Sequence, residues 1–223
     1  MQFVEYPDRE FLMLSLADTI AGELADFLRR EGRASLCLPG GTTPGPMFDT
    51  LSGVDLDWSK VTVFLNDERW VPEDSPRSNT RLLRERLLTG PAAAATYLPL
   101  YSDAGTPDAA LADLAAAIAP HLPISVLLLG MGEDMHTASL FPGADRLDEA
   151  LAEDAPLLMA LRAEAADEPR ITLTAPALKG ALAIHVLITG AAKRAALERA
   201  QGLTPREAPI KALLANATVH WAE

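Results

Sequence analysis

Val126-Leu127-Leu128-Leu129-Gly130-Met131-Gly132-Glu133-Asp134-Met135-His136-Thr137-Ala138-Ser139-Leu140-Phe141-Pro142 reads as a buried strand that empties into a turn. The four apolar residues Val126 to Leu129 form the unbroken run of a strand inside a sheet. Gly130 and Gly132 open the turn, and it delivers Asp134 and His136 at the strand's C-terminal end. In an open α/β sheet that is where ligands bind. A histidine there can be neutral near physiological pH and accept a proton. Taken alone, the segment reads more readily as a solvated loop whose histidine caps a turn, so the rest of the chain must decide.

Outward from this segment the pattern alternates. A helix is expected over residues 10–31, with Phe11, Leu14, Ile20, Leu24, Phe27 and Leu28 on one face and Gly32 as its stop. Strands are expected at Ala34–Leu38, Val61–Leu65, Ile124–Leu129 and Ala183–Thr189, with shorter ones at Leu157–Leu161, Arg170–Thr174 and Ala217–Trp221. Helices are expected at Pro44–Leu51, Asn79–Leu88 with Ser78 as N-cap, Pro107–Ala119, Ala191–Ala200 and Pro209–Leu214. Strands alternating with helices predict an α/β protein whose mainly parallel sheet is covered on both faces. No Gly/Ser linker or repeat interrupts the chain, and Pro91–Ala95 is a short loop. The expectation is one domain over residues 1–223, with a small lid or subdomain around 145–170.

The 223 residues carry a formal charge of −12, which argues against a nucleic-acid-binding surface. That charge leaves room for an anionic small ligand, because a few placed cations can dominate one pocket. The single cysteine, Cys37, rules out an internal disulfide. The N-terminus lacks the order of a signal peptide, and no apolar run approaches the ~18 residues of a membrane helix. A cytoplasmic protein is expected.

Three further loops follow strand ends. In Pro39-Gly40-Gly41-Thr42-Thr43-Pro44, two glycines permit a tight turn, successive N–H groups can cradle an anion, and Pro44 suits a first helical position. A phosphate at that helix start would meet free N–H groups and the helix dipole. No Gly-Lys-Ser/Thr follows, so the segment is not a Walker loop. In Asn66-Asp67-Glu68-Arg69, Arg69 can fork onto a carboxylate or phosphate, and Asp67 or Glu68 can orient it or bind sugar hydroxyls. The third is split between Arg170, which opens an alternating strand, and Lys193, one turn into a helix. A cation in a first helical turn is disfavoured by the dipole, which a bound anion would explain. Each loop also has a plain structural reading as a turn, a solvated ion pair or a surface lysine. Gly130-x-Gly132 lacks the third glycine of a dinucleotide fingerprint, since Met135 stands there.

Together, Gly40-Gly41-Thr42-Thr43-Pro44, Asp67-Glu68-Arg69, Ser78-Asn79, Gly130–Pro142, Arg170–Thr174 and Lys193 resemble the 6-phosphogluconolactonase family. The resemblance implies a Rossmann-like three-layer α/β sandwich shared with glucosamine-6-phosphate deaminases. It implies hydrolysis of 6-phosphogluconolactone in the pentose phosphate pathway, without metal or organic cofactor. His136 matches the family's general base and Asp134 its partner acid. Gly40, Gly41, Thr42, Thr43, Asp67, Arg69, Gly132, Arg170 and Lys193 match positions that hold substrate, chiefly its phosphate. The implied partner is a sugar phosphate, on a monomer or weak homo-oligomer.

Two departures stand out. Met135 occupies a position where the family usually has glycine; if its φ is positive, the strain is of order 1–3 kcal/mol. Threonine replaces serine at position 42, keeping the hydroxyl. A helix seeded by Thr137-Ala138-Ser139 would favour neutral His136 through its dipole. The deaminase family shares the glycine loop and the Asp-x-His turn, but an acid follows its histidine where Leu140-Phe141-Pro142 stands here. The other alternative, a non-catalytic sugar-phosphate sensor, usually carries a further DNA-binding or partner-binding module.

Overall fold

The computed structural model describes residues 1–223. In chain order the elements are β1 (Gln2–Glu5), α1 (Arg9–Glu31), β2 (Ala34–Leu38), α2 (Gly45–Ser52), β3 (Val61–Leu65), β4 (Asp67–Arg69), α3 (Asn79–Arg86), β5 (Thr96–Leu98) and α4 (Pro107–Ile118). They continue as β6 (Val126–Gly130), α5 (Leu147–Leu151), β7 (Leu158–Leu161), β8 (Arg170–Leu173), α6 (Ala175–Lys179), β9 (Ala183–Thr189), α7 (Ala191–Ala200) and β10 (Thr218–Ala222).

Seven strands pair in parallel in the order β1-β10-β9-β6-β2-β3-β5, the middle layer of a three-layer α/β sandwich. Every residue of β2 and β3 is buried, as are the first four of β6. Burial on both faces is why these strands read as unbroken apolar runs. The chain builds from β2 outward to β3 and β5, then crosses back to place β6 on the other side of β2. That reversal is a topological switch point, where such folds open a ligand crevice. Strands β2 and β6 stay paired only through Leu36↔Val126 and Cys37↔Leu127, then part towards their C-terminal ends.

Helix α1 starts where Asp8 accepts a hydrogen bond from Phe11 N at 2.8 Å, and stops at Gly32, whose φ of +70° suits glycine. Its buried face is Leu12, Met13, Leu16, Ala17, Ile20, Ala21 and Leu24. Of the expected face, Ile20 and Leu24 are buried and Phe27 and Leu28 pack against the core, and the correction falls on its first two residues. Phe11 and Leu14 are exposed, because the first turns of α1 turn Leu12, Met13 and Leu16 inward where the helix lies against β2, β6, β10 and α2. Each fully buried leucine or isoleucine there contributes roughly 1.5–3 kcal/mol.

A polar chain, buried at its two histidines, ties the residue after β1 to β10, β9 and α1. Tyr6 Oη lies 2.8 Å from His220 Nδ1, His220 Nε2 lies 2.9 Å from His185 Nδ1, and His185 Nε2 lies 2.8 Å from Glu23 Oε2. With both rings neutral and protonated on Nε2, every donor meets an acceptor, running from the tyrosine to the carboxylate. Burial, and then His185, lower the His220 pKa from 6.5 to about 4. Between those values the unfolded chain binds a proton that the folded chain refuses, so stability falls as pH falls through the window. The loss amounts to about 3 kcal/mol. The expected result is a urea midpoint that drops more steeply between pH 6.5 and 4 than that of His220→Gln. Parallel profiles would remove His220 as the cause.

Several elements differ from expectation. Strands β1 and β5 are short edge strands that lack an unbroken apolar run. Strands β7 and β8 do not join the main sheet; they form an antiparallel three-stranded sheet with β4. Helices α5 and α6, five residues each, are too short to show a period. The expected helix at Pro209–Leu214 is instead two short 3-10 turns. Helix geometry is likewise absent after His136: Met135 and Ala138 take φ of +67° and +48°, and Thr137 bridges Leu140.

Candidate active site

The loops after β2, β3 and β6, with Arg170 and Lys193, surround an open cavity of about 320 Å³ at the switch point. The β2 loop contributes Gly40, Gly41 and Thr43. Gly41 has φ +82°, and a Cβ on Gly40 would overlap the Asn79 side chain. Glycine here lets α3 and the β2 loop touch. Thr42 is exposed and does not line this cavity, contrary to expectation; with Thr43 it lines an adjoining hollow beside Arg9 and Thr189. Thr43 lines both spaces, whereas Thr42 lines the outer one alone.

After β3, the polar run becomes strand β4 by pairing with β8. Its neighbouring acids part ways. Glu68 is fully buried and accepts hydrogen bonds from Arg69 N, Asn79 N, Thr80 N, Thr80 Oγ1 and Ser78 Oγ at 2.7–3.2 Å. It anchors the start of α3 and is not part of the cavity wall. Burial pushes its carboxyl above the usual range, opposed by those donors. Ser78 caps α3 as the sequence suggested, accepting from Arg81 N at 3.3 Å. Asp67 faces the cavity, taking the Ser139 hydroxyl at 2.5 Å, with Arg170 Nη1 3.8 Å away. Asp67 thus steadies Arg170, while Arg69 is held by the Arg77 carbonyl at 2.6 Å and Asn79 Oδ1 at 3.4 Å.

The β6 turn is closed on itself by Gly132 N to His136 O and Met135 N to Gly132 O, both 3.0 Å. Ile210 N bonds Met135 O at 3.1 Å, and the Met135 side chain packs against the core. These contacts oppose the strain of a methionine at positive φ. His136 Nδ1 lies 2.5 Å from Asp134 Oδ1, which also accepts from His136 N at 3.2 Å. Burial pushes the Asp134 carboxyl up, but those hydrogen bonds outweigh it and hold it below the usual range. Asp134 stands behind the imidazole, which leaves Nε2 free on a ring that lines the cavity. Phe141 stacks on that ring at 4.3 Å between centroids, and the Arg170 guanidinium carbon lies 5.6 Å from the Phe141 ring centroid.

Gly132 is required by the histidine. A Cβ there would overlap both the His136 ring and the Asp134 carboxylate, yet its backbone φ is one that alanine accepts. Gly132→Ala is expected to keep the wild-type melting temperature and to displace the imidazole, lowering kcat about 10- to 100-fold. Unchanged turnover would show that the ring's position is not critical.

Arg69, Arg170 and Lys193 converge on this cavity in a chain of net charge −12. Burial lowers the Arg170 and Lys193 pKa values, with Asp67 opposing at the arginine and Glu133 and Asp134 at the lysine. Lys193 is the third residue of α7, as expected. The Nε atoms of Arg69 and Arg170 are buried without a hydrogen-bond partner in the protein, and so is Asn66 Oδ1. Asn66, Asn79 and Phe141 are cavity residues that sequence reasoning left out of the site. Of these, Asn66 and Asn79 gave a signal, since both lie inside the quoted polar loops. No group of three His, Cys, Asp or Glu residues is placed to hold a metal ion, and no helix is long and apolar enough to cross a membrane.

A parallel sheet with its ligand crevice at the switch point defines a Rossmann-like α/β protein. The family model described as glucosamine-6-phosphate isomerases/6-phosphogluconolactonase matches residues 7–221, and the chain belongs to that family. It is 43% identical over 215 residues to the 6-phosphogluconolactonase of Rhizobium meliloti, covering 93% of each chain. It is 39% identical over 225 residues to that of Caulobacter vibrioides, covering 98% of this chain and 96% of the other. The crystal structure of a 6-phosphogluconolactonase from Shewanella baltica superposes with a TM-score of 0.96 at 34% identity, covering 100% and 98% of the two chains. A monomeric glucosamine-6-phosphate deaminase shares the fold at 18% identity and a TM-score of 0.80, covering 100% and 98%.

Proposed function

We propose that this chain hydrolyses 6-phosphogluconolactone to 6-phosphogluconate, in the oxidative branch of the pentose phosphate pathway. One observation carries the reading: the His136–Asp134 pair and the cations Arg69, Arg170 and Lys193 share a single cavity wall or its immediate backing. The relatives' names support the same substrate.

With Nδ1 held by ionised Asp134, His136 presents Nε2 to a water molecule. As the water oxygen bonds to C1 of the lactone, Nε2 takes its proton. When the C1–O5 bond breaks, the same proton passes to O5, giving the open-chain acid. Backbone N–H groups of the glycine loops face the oxyanion that forms at C1. Thr43, Arg69, Arg170 and Lys193 hold the phosphate, and that remote binding energy positions C1 against the water. The helix dipole has no part in this, because no helix starts at His136.

The test is proton release on mixing the protein with freshly prepared lactone. Acidification faster than the spontaneous rate, with no ammonia released from glucosamine 6-phosphate, is the expected result. Ammonia release would establish a deaminase, and binding without turnover a sensor.

A further inference from the structure

Asn66 follows β3 directly and is fully buried, yet it lines the cavity. Its place is set by the parting of β2 and β6. Where their ladder ends after Cys37↔Leu127, the Leu128 carbonyl loses a strand partner, and Asn66 Nδ2 bonds it at 3.0 Å. A carbonyl can only accept, so it fixes which way the amide points. Nδ2 must face Leu128, and Oδ1 is turned from it. That oxygen is buried and has no hydrogen-bond partner in the protein. A buried acceptor left unpaired is costly, so a donor arriving with the ligand is favoured there.

The phosphate dianion cannot be that donor, since it offers only acceptors. It suits the guanidinium groups of Arg69 and Arg170, whose Nε atoms lack partners. The neighbouring side-chain acceptors are already engaged: Asp67 Oδ2 takes Ser139 and faces Arg170, and Asn79 Oδ1 takes Arg69. We propose that Asn66 Oδ1 accepts a hydrogen bond from one ring hydroxyl of the sugar lactone, so that the cavity reads the sugar as well as its phosphate. This rests on the lactonase reading given above. It makes Asn66 a substrate-binding residue with two distinct duties, Nδ2 for the split in the sheet and Oδ1 for the substrate.

The experiment compares kcat/KM of the wild type, Asn66→Ala and Asn66→Ser on 6-phosphogluconolactone and its 2-, 3- and 4-deoxy analogues. The serine variant is the reserve should alanine at the sheet split fail to fold. On the parent lactone each variant is expected to lose about tenfold, the size of one buried hydrogen bond left unmade. On one deoxy analogue the wild type should lose a similar factor, and the variants should lose nothing further. The same penalty on all four lactones would overturn the assignment alone and leave Asn66 as a plug for the Leu128 carbonyl. No turnover of any lactone by the wild type would overturn the lactonase reading and the hydroxyl assignment with it.

Discussion

His136→Ala is expected to lower kcat by two or more orders of magnitude while leaving the melting temperature unchanged. The size follows from the contribution of a positioned general base, typically 10²–10⁴-fold. The fold should tolerate the change because the ring is 30% exposed and its polar contacts are to Asp134 within its own turn. Backbone bonds from Gly132, Met135 and Ile210 hold the turn without the imidazole. Asp134→Asn should do less damage, since the amide still bonds the ring but loses the charge that steadies an imidazolium. Near-wild-type kcat in His136→Ala would remove the base from this mechanism and point to direct attack by water held elsewhere in the cavity.

Arg170→Ala has the largest expected effect on binding. Its side chain is 10% exposed, its Nη1 lies 3.8 Å from Asp67 Oδ2, and its Nε atom is buried without a partner. A charge-assisted contact to phosphate contributes about 1.5–3 kcal/mol. KM for the phosphorylated lactone should therefore rise about 10- to 100-fold, with kcat within several-fold of wild type. KM for glucono-1,5-lactone, which has no phosphate, should hardly change. Arg170→Lys should recover part of the loss, because charge survives while the two-pronged geometry does not. An equal rise in KM for both lactones would mean that Arg170 shapes the cavity through Asp67 and does not read the phosphate.

The comparison of these two residues also separates what local sequence can reveal from what it cannot. His136 was legible because a buried strand, two glycines and a histidine lie within one segment. Arg170 was legible only as a cation opening a strand. Its pairing with Asp67 arises because β4 and β8 meet antiparallel across about a hundred residues of chain, with Asp67 opposite Thr172.

The strands Ala34–Leu38, Val61–Leu65 and Ala183–Thr189 and the helix Ala191–Ala200 have the bounds their composition predicts. Their signals are local: β-branched and leucine runs, or a glycine before an alanine-rich turn. Strand β4 had no such signal, since Asp-Glu-Arg becomes a strand only through its partner.

The sequence by itself determined the α/β alternation, the parallel central strands and the presence of a glycine–acid–histidine turn, because each depends on neighbours within a few residues. Only the tertiary structure decided that Asp67 faces the cavity while Glu68 anchors α3, that Thr43 lines it while Thr42 does not, and that Met135 accepts a positive φ. It also decided that the Asn66 acceptor is turned from Leu128. Each of these outcomes depends on which carbonyl, amide or side chain from a distant segment arrives to complete a hydrogen bond, and no local pattern encodes that arrival.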